Sequence, residues 1–404
     1  MAPETAVLER EELISGSEAI AHACRLADVD VITAYPIRPY DTVMQFVARM
    51  IADGDMDADY IVAESEHSQF EIVKHASAVG ARVFSGSSGV GWFYAMEALA
   101  VTAGLRLPVV AMVGNRALDD PGAFGCEHND ALAVRDLGWM LNWVDTAQEA
   151  LDTALMAFRV AENRKVMLPC AIATDGAFLT HSQHLVKVPD EESVGKYLPP
   201  YDRGELRLHP DNPITIAPQV NEDWLMEMRK QSDEAMKRAR GILEEAHADF
   251  RAQFGRGGES PYYEEYMTEG AEAVILGMGT LALPARVAVR KAREAGKKIG
   301  FVRIKWFRPF GTEAVRDCLS KFKAVGIVDR DYSFGSPNSG GVLYTEIRSV
   351  LYEAAPRPHV LGFVAGLGGR EVTLEATEEM IDQTLAAAAN GKVETAVRWV
   401  DVRE

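Results

Sequence analysis

The chain has 404 residues, 48% of them hydrophobic, and a formal charge of −18 at pH 7. That length allows two or three domains with large cores, and the composition excludes a disordered chain. Acidity of this degree disfavours nucleic acid and anionic membranes as partners, and no apolar run approaches the roughly 20 residues of a membrane span.

The N-terminal stretch Met1–Glu12 is acidic and lacks the apolar centre of a signal peptide, so a cytoplasmic location is expected. From about 14 to 182 the pattern alternates between strands and helices. Apolar runs at Val29–Tyr35, Tyr60–Ala63, Arg82–Ser85, Val109–Val113 and Val166–Ala173 read as buried parallel strands. Helical patterns at Ser17–Leu26, Asp41–Ile51, Gln69–Val79, Tyr94–Ala103 and Ala147–Ala161 lie between them, so a doubly wound α/β domain is expected over 1–184. Residues 185–268 form a second region. Six prolines between Leu185 and Pro218 are spaced too closely for helices, which predicts an extended arm. A long helix over Glu222–Phe254 follows, with Trp224, Leu225, Met228, Ile242, Leu243, Ala246 and Phe250 as its apolar face. A second α/β domain over 269–404 has strands at Ala273–Leu276, Gly300–Ile304, Ala324–Val328 and His359–Phe363.

Candidate chemistry clusters where strands end, because open α/β sheets bind ligands beyond the carboxyl ends of their strands. Arg38 stands between Pro36 and Pro39 in a stiff turn, as an anion ligand or a surface arginine. Glu64 and Glu66 open a helix, where carboxylates also serve as ordinary first-turn acids. His67, Glu71 and His75 share a helical face, which is more often a solvated stripe than a metal site, and no metal is expected. Gly86-Ser87-Ser88-Gly89-Val90-Gly91 allows a close backbone approach to a ligand, and Trp92 and Phe93 follow as core or pocket aromatics. The polar run from Asn115-Arg116 through Asp119, Asp120, Pro121, Gly122 and Phe124 to Asp130 has the build of a mobile active-site loop. Gly277-Met278-Gly279 with Ala282 is a loose dinucleotide fingerprint, but Arg303 and Lys305 stand where its acid belongs. Cys24, Cys126, Cys170 and Cys318 form no CxxC pair, so cysteines of this chain alone build no iron–sulfur cluster, and buried thiols are expected.

Tyr35-Pro36-Ile37, Ser65-Glu66, the Arg116 loop, Arg308-Pro309-Phe310 and Gly366-Leu367-Gly368-Gly369, in this order and spacing, resemble the 2-oxoacid:acceptor oxidoreductase family, which includes pyruvate:ferredoxin oxidoreductase. The resemblance implies a pyrimidine-binding domain for thiamine diphosphate followed by a transketolase-C-terminal-like domain. It implies that Glu66 hydrogen-bonds the cofactor's aminopyrimidine ring, with Glu64 as runner-up, and that Pro36, Ile37 and Gly89 line the cofactor. Arg116 matches the arginine that pairs with the substrate carboxylate. Magnesium, diphosphate and iron–sulfur clusters are then expected on partner subunits, with coenzyme A capturing the acyl group, so that the chain is inactive alone.

Arg38 departs from the small hydroxyl residue of the pyruvate pattern. Tyr-Pro-Ile-Arg-Pro-Tyr resembles the branch containing phenylglyoxylate dehydrogenase and oxalate oxidoreductase. That branch implies a loop in which Asp119 or Asp120 enters the site or withdraws to expose Arg116. Trp92 and Phe93 suit phenylglyoxylate, the expected substrate; Arg38 with Arg116 suits the two carboxylates of oxalate; a pyruvate-type substrate is a third reading, and Trp92 and Phe124 are expected at the substrate with Arg38, Arg116, Asp119 and Asp120. A dehydrogenase with NAD at Gly277–Ala282 and a non-catalytic scaffold subunit are the readings from other classes.

Overall fold

A computed structural model describes residues 7–403. The reading of residues 1–6 as part of a leaderless N-terminus lies outside the described residues. The first sheet has seven strands in the order Trp306–Arg308, Met140–Val144, Cys170–Asp175, Val110–Asn115, Val83–Ser87, Val31–Ala34 and Asp59–Val62. Six are parallel, and only Trp306–Arg308 runs antiparallel. Buried parallel strands carry apolar side chains on both faces, and Val110–Asn115 and Cys170–Asp175 are buried at every position. Helix Gly16–Leu26 packs on both Asp41–Asp53 and Ala147–Ala161, and Glu66–Val79 packs with Met96–Gly104, so two helical groups serve this sheet.

The second sheet has six strands in the order Val397–Trp399, His359–Val364, Ala324–Asp329, Ala273–Met278, Ile299–Ile304 and Tyr263–Tyr266. All pairings are parallel except the edge strand Tyr263–Tyr266. Among the described residues no helix is long and apolar enough to cross a membrane.

The Pro-rich stretch is more regular than its prolines predict. Gln183–Pro189 pairs antiparallel with Glu9–Ser15. Glu191–Tyr197 is a helix fitted between Pro189 and Pro199, its first turn capped by the Asp190 carboxylate on Ser193 N at 2.9 Å. Seven residues make two turns, so prolines ten apart leave room for a short helix. The long helix, Asn221–Phe254, buries Ala235, Ala239, Leu243, Ala246, His247, Phe250 and Phe254. Trp224, Leu225 and Met228, expected on its packed face, are exposed, because the first turns extend past the body of the chain.

Two buried polar clusters join the domains. At one, Arg303 of the second sheet is bidentate to Glu149 of the first domain at 2.6 and 2.9 Å and also reaches Glu264 at 2.8 Å. Burial pushes the Glu149 carboxyl up, but Arg303 and Lys305 outweigh it and hold the group well below the usual range. At the other, Asp175 accepts hydrogen bonds from His128 at 2.8 Å, Arg330 at 2.8 Å and the Thr280 amide at 2.9 Å. A Cβ on Gly279 (φ +57°) would lie 2.8 Å from Asp175 Oδ1. The glycine turn with the dinucleotide pattern therefore receives a carboxylate from the neighbouring domain where a nucleotide phosphate would sit.

Candidate active site

The strand-end motifs of the first domain lie at one end of the first sheet, because the strands that carry them run parallel. Ser65 caps the helix Glu66–Val79 by accepting from Ser68 N at 3.2 Å. Glu66 is the first residue of that helix, where its charge suits the positive end of the dipole. The residue is largely buried (6% exposed) and, among the described residues, its carboxylate has no hydrogen-bond partner. Glu64 is exposed and accepts from Ser68 Oγ at 2.6 Å. The structure thus separates two acids that the sequence leaves nearly equivalent.

Gly91 closes over Glu66. A Cβ there would collide with Glu66 Oε1 and would lie 2.7 Å from Ile37 Cδ1. Ile37 belongs to the turn after Val31–Ala34, Gly91 to the helix Gly89–Tyr94, and Glu66 to a third element, so three strand ends converge on one carboxylate. Pro36 is exposed at the start of its turn, and Gly89 is buried with φ +51°.

Arg116 follows the strand Val110–Asn115 directly. Its Nη2 donates to Asp119 Oδ2 at 2.6 Å and its Nη1 to the Arg38 carbonyl at 3.3 Å. Its Nε is buried without a partner among the described residues. The Phe124 ring, 75% exposed, lies 4.7 Å from the guanidinium carbon. Asp120 is exposed beside Asp119. The loop returns onto the second domain: a Cβ on Gly125 would collide with the Gly368 carbonyl, and Gly369 N donates to the Cys126 carbonyl at 3.0 Å.

The two arginines do not offer paired guanidinium groups. The Arg38 side chain is 79% exposed, with its Nε 3.7 Å from Asp41. Trp92 is a correction to the sequence reading. It is fully buried, with T-shaped contacts to Phe70 at 5.3 Å and Trp139 at 5.6 Å, so it is a core residue and walls no pocket in this chain. Phe93 and Tyr94, one and two residues on, are the exposed aromatics of that helix. Asp130 was only the end of a polar run in the sequence. It is the buried carboxylate to which Gly89 N and Arg116 N both donate at 2.9 Å.

Residues 22–248 match the family description "pyruvate flavodoxin/ferredoxin oxidoreductase, thiamine diP-bdg", and residues 271–377 match "pyruvate:ferredoxin oxidoreductase core domain II". The chain belongs to this family. It is an alpha subunit of a 2-oxoacid oxidoreductase, with a thiamine-diphosphate-binding domain followed by a transketolase-C-terminal-like domain. The alpha subunit is 36% identical over 393 residues to pyruvate synthase subunit PorA of Methanothermobacter thermautotrophicus, covering 97% of this chain and 98% of that one. It is 34% identical over 399 residues to the NADH-dependent phenylglyoxylate dehydrogenase subunit alpha of Aromatoleum evansii, covering 97% and 95%. The structure of 2-oxoglutarate:ferredoxin oxidoreductase from Magnetococcus marinus superposes with a TM-score of 0.67 at 18% identity, over 93% of this chain and 65% of that chain. A split-gene transketolase superposes with a TM-score of 0.55 at 13% identity, over 93% and 99%. At such identities these two structures speak to the fold alone.

Proposed function

We propose that the alpha subunit carries the cofactor-ring contact and the substrate-carboxylate anchor of an enzyme that converts phenylglyoxylate to benzoyl-CoA and carbon dioxide, acting only with partner subunits. The observation that carries this reading is Glu66: a buried carboxylate without an internal partner, facing a glycine, at the ligand-binding end of the sheet. A carboxylate so placed suits a ring nitrogen with which it can share a proton.

Glu66, Ile37, Pro36 and Gly89 would hold the pyrimidine side of thiamine diphosphate. The cofactor, when bound, supplies the nucleophilic carbon and the electron sink for loss of carbon dioxide. Arg116 orients the substrate by pairing with its carboxylate, which presents the ketone carbon in one geometry. To do so it exchanges Asp119 for the substrate, so the loop has a closed arrangement with the internal pair and an open one with Asp119 withdrawn. The two electrons released leave through iron–sulfur clusters on partner subunits, which also hold magnesium and the diphosphate. Coenzyme A takes the acyl group.

The exposed Phe124 ring stacked on Arg116 supports an aryl 2-oxoacid, because it offers an apolar face beside the anchor. Oxalate is the reading that the exposed Arg38 favours, since a second cation stands on the same rim. A pyruvate-type substrate draws support from the pyruvate synthase relative. The test is a substrate survey on the native complex, purified through a tag on this chain, with phenylglyoxylate, oxalate, pyruvate and 2-oxoglutarate, an artificial electron acceptor, and coenzyme A present or absent. Coenzyme-dependent turnover of phenylglyoxylate is expected. Coenzyme-independent oxidation of oxalate would replace it with the second reading, preferred turnover of pyruvate with the third, and turnover of no 2-oxoacid would remove all three.

A further inference from the structure

Asp130 lies in the first turn of the short helix Asn129–Leu132, at the other end of the substrate loop in sequence from Arg116. It is fully buried, yet it takes part in no ion pair among the described residues; the Arg116 guanidinium pairs with Asp119. Its carboxylate is held by four N–H groups. Oδ2 accepts from the amides of Gly89 and Arg116, both at 2.9 Å. Oδ1 accepts from Asn115 Nδ2 at 2.8 Å and from its neighbour Ala131 N at 2.7 Å. A buried carboxylate without a counter-charge is costly, so its bonds to the protein are what keep it in place.

The two amides on Oδ2 belong to different halves of the site. Gly89 begins the turn of helix whose Gly91 lies on Glu66 and Ile37, while Arg116 N is the backbone from which the substrate anchor projects. We propose that Asp130 is a positioning residue that fixes the spacing between the cofactor contact and the substrate anchor by holding both backbones on one oxygen. This inference rests on the roles given above to Glu66 and Arg116. Burial, only partly offset by the four hydrogen bonds, pushes the Asp130 carboxyl up to about 6. The titratable groups that feel its charge are Cys126 and Glu127 of its own loop, and the Arg116 residue meets it through the backbone amide. Protonation turns one of its two oxygens into a donor and weakens its hold on the N–H groups that this oxygen faces.

The test compares Asp130→Ala and Asp130→Asn in the assembled complex. The amide oxygen of Asp130→Asn can still accept from Gly89 and Arg116. Its nitrogen can donate to Asn115 Oδ1, which is buried and unpartnered, if the Asn115 amide turns over. Asp130→Ala leaves both backbones unheld. Expected for Asp130→Ala is a fall in kcat/KM of roughly 10²-fold, with KM for the 2-oxoacid rising and thiamine diphosphate binding weakened in calorimetry of the cofactor-free complex. Expected for Asp130→Asn is recovery of most of this loss, with the acid limb of the kcat/KM profile near pH 6 removed. Parental kcat/KM in Asp130→Ala overturns the proposal. If Asp130→Ala fails to assemble, Asp130→Asn decides: an assembled Asp130→Asn complex with kcat/KM as low as that of Arg116→Ala overturns the proposal, since the acceptor for both amides is still present. Arg116→Ala, run alongside, separates the two levels: parental kcat/KM there removes the underlying site reading, whereas its loss beside an unaffected Asp130→Ala removes this inference alone.

Discussion

Arg116 and Asp119 form an ion pair three residues apart, Nη2 to Oδ2 at 2.6 Å, in the loop after the strand Val110–Asn115. The chain's own carboxylate thus occupies the group assigned to the substrate's carboxylate. Asp119→Ala is expected to lower KM for the 2-oxoacid by up to about fivefold, since a partly exposed pair is worth about 1 kcal/mol at most. Steady-state kinetics on the complex measure this, and an unchanged or raised KM would argue against competition between Asp119 and substrate.

Trp92 separates packing from specificity. Buried against Phe70 and Trp139, it contributes to the core beneath the Gly89–Tyr94 helix. Trp92→Ala is expected to cost about 3–5 kcal/mol of stability, seen as a lowered melting temperature. Trp92→Phe should leave the ratio of kcat/KM for phenylglyoxylate over pyruvate at the parental value, and a changed ratio would return Trp92 to the pocket.

Arg303 ties the domains through Glu149 and Glu264. Arg303→Met removes one member of a buried charged cluster and leaves Glu149 with the Lys305 ammonium at 3.4 Å and the Asp145 amide at 3.1 Å. Loss of about 3–5 kcal/mol is expected in denaturant unfolding, because the stranded carboxylate keeps its desolvation cost. A loss below about 1 kcal/mol would mean that solvent reaches this cluster freely.

Asp130 sets opposite pH trends for activity and stability. Its folded pKa, about 6, lies above the ordinary aspartate value of about 3.9, so the folded chain binds this proton more tightly than the unfolded one. Its contribution to stability is therefore fully present below about pH 4 and is lost as pH rises through about 6. Activity is expected to fall as pH drops through about 6, no further than to the level of Asp130→Asn, which also offers a neutral acceptor. Unfolding of parent and Asp130→Asn across pH 4–7 isolates this contribution, and a contribution that grows with pH would reverse the sign.

The gathering of these motifs was readable because the pattern is coarse: parallel strands put their following loops at one end, so bringing Pro36, Glu66, Gly89 and Arg116 together needed only correct strand ends. Which glutamate is buried was not readable, since Glu64 and Glu66 have the same chemistry and only the course of the backbone hides one. The strand Trp306–Arg308 was missed because it completes the sheet of the other domain, a pairing with no local signal. Met140–Val144 was missed because Asn142 interrupts its apolar run; the structure buries that residue at the edge where Trp306–Arg308 is added. The glycine fingerprint at Gly277–Gly279 was a true mark of close approach, but what approaches is Asp175 of the neighbouring domain. The apolar start of the long helix misled because helical spacing identifies a face without saying what covers it.

The most direct test of the account is Glu66→Gln in the whole complex, with turnover of the preferred 2-oxoacid measured beside thiamine diphosphate binding. The amide keeps the size of the side chain and removes its capacity to share a proton. The account predicts an assembled, cofactor-loaded complex whose kcat is lower by roughly 10²–10⁴-fold. Parental turnover in that complex would contradict it and leave the alpha subunit a scaffold.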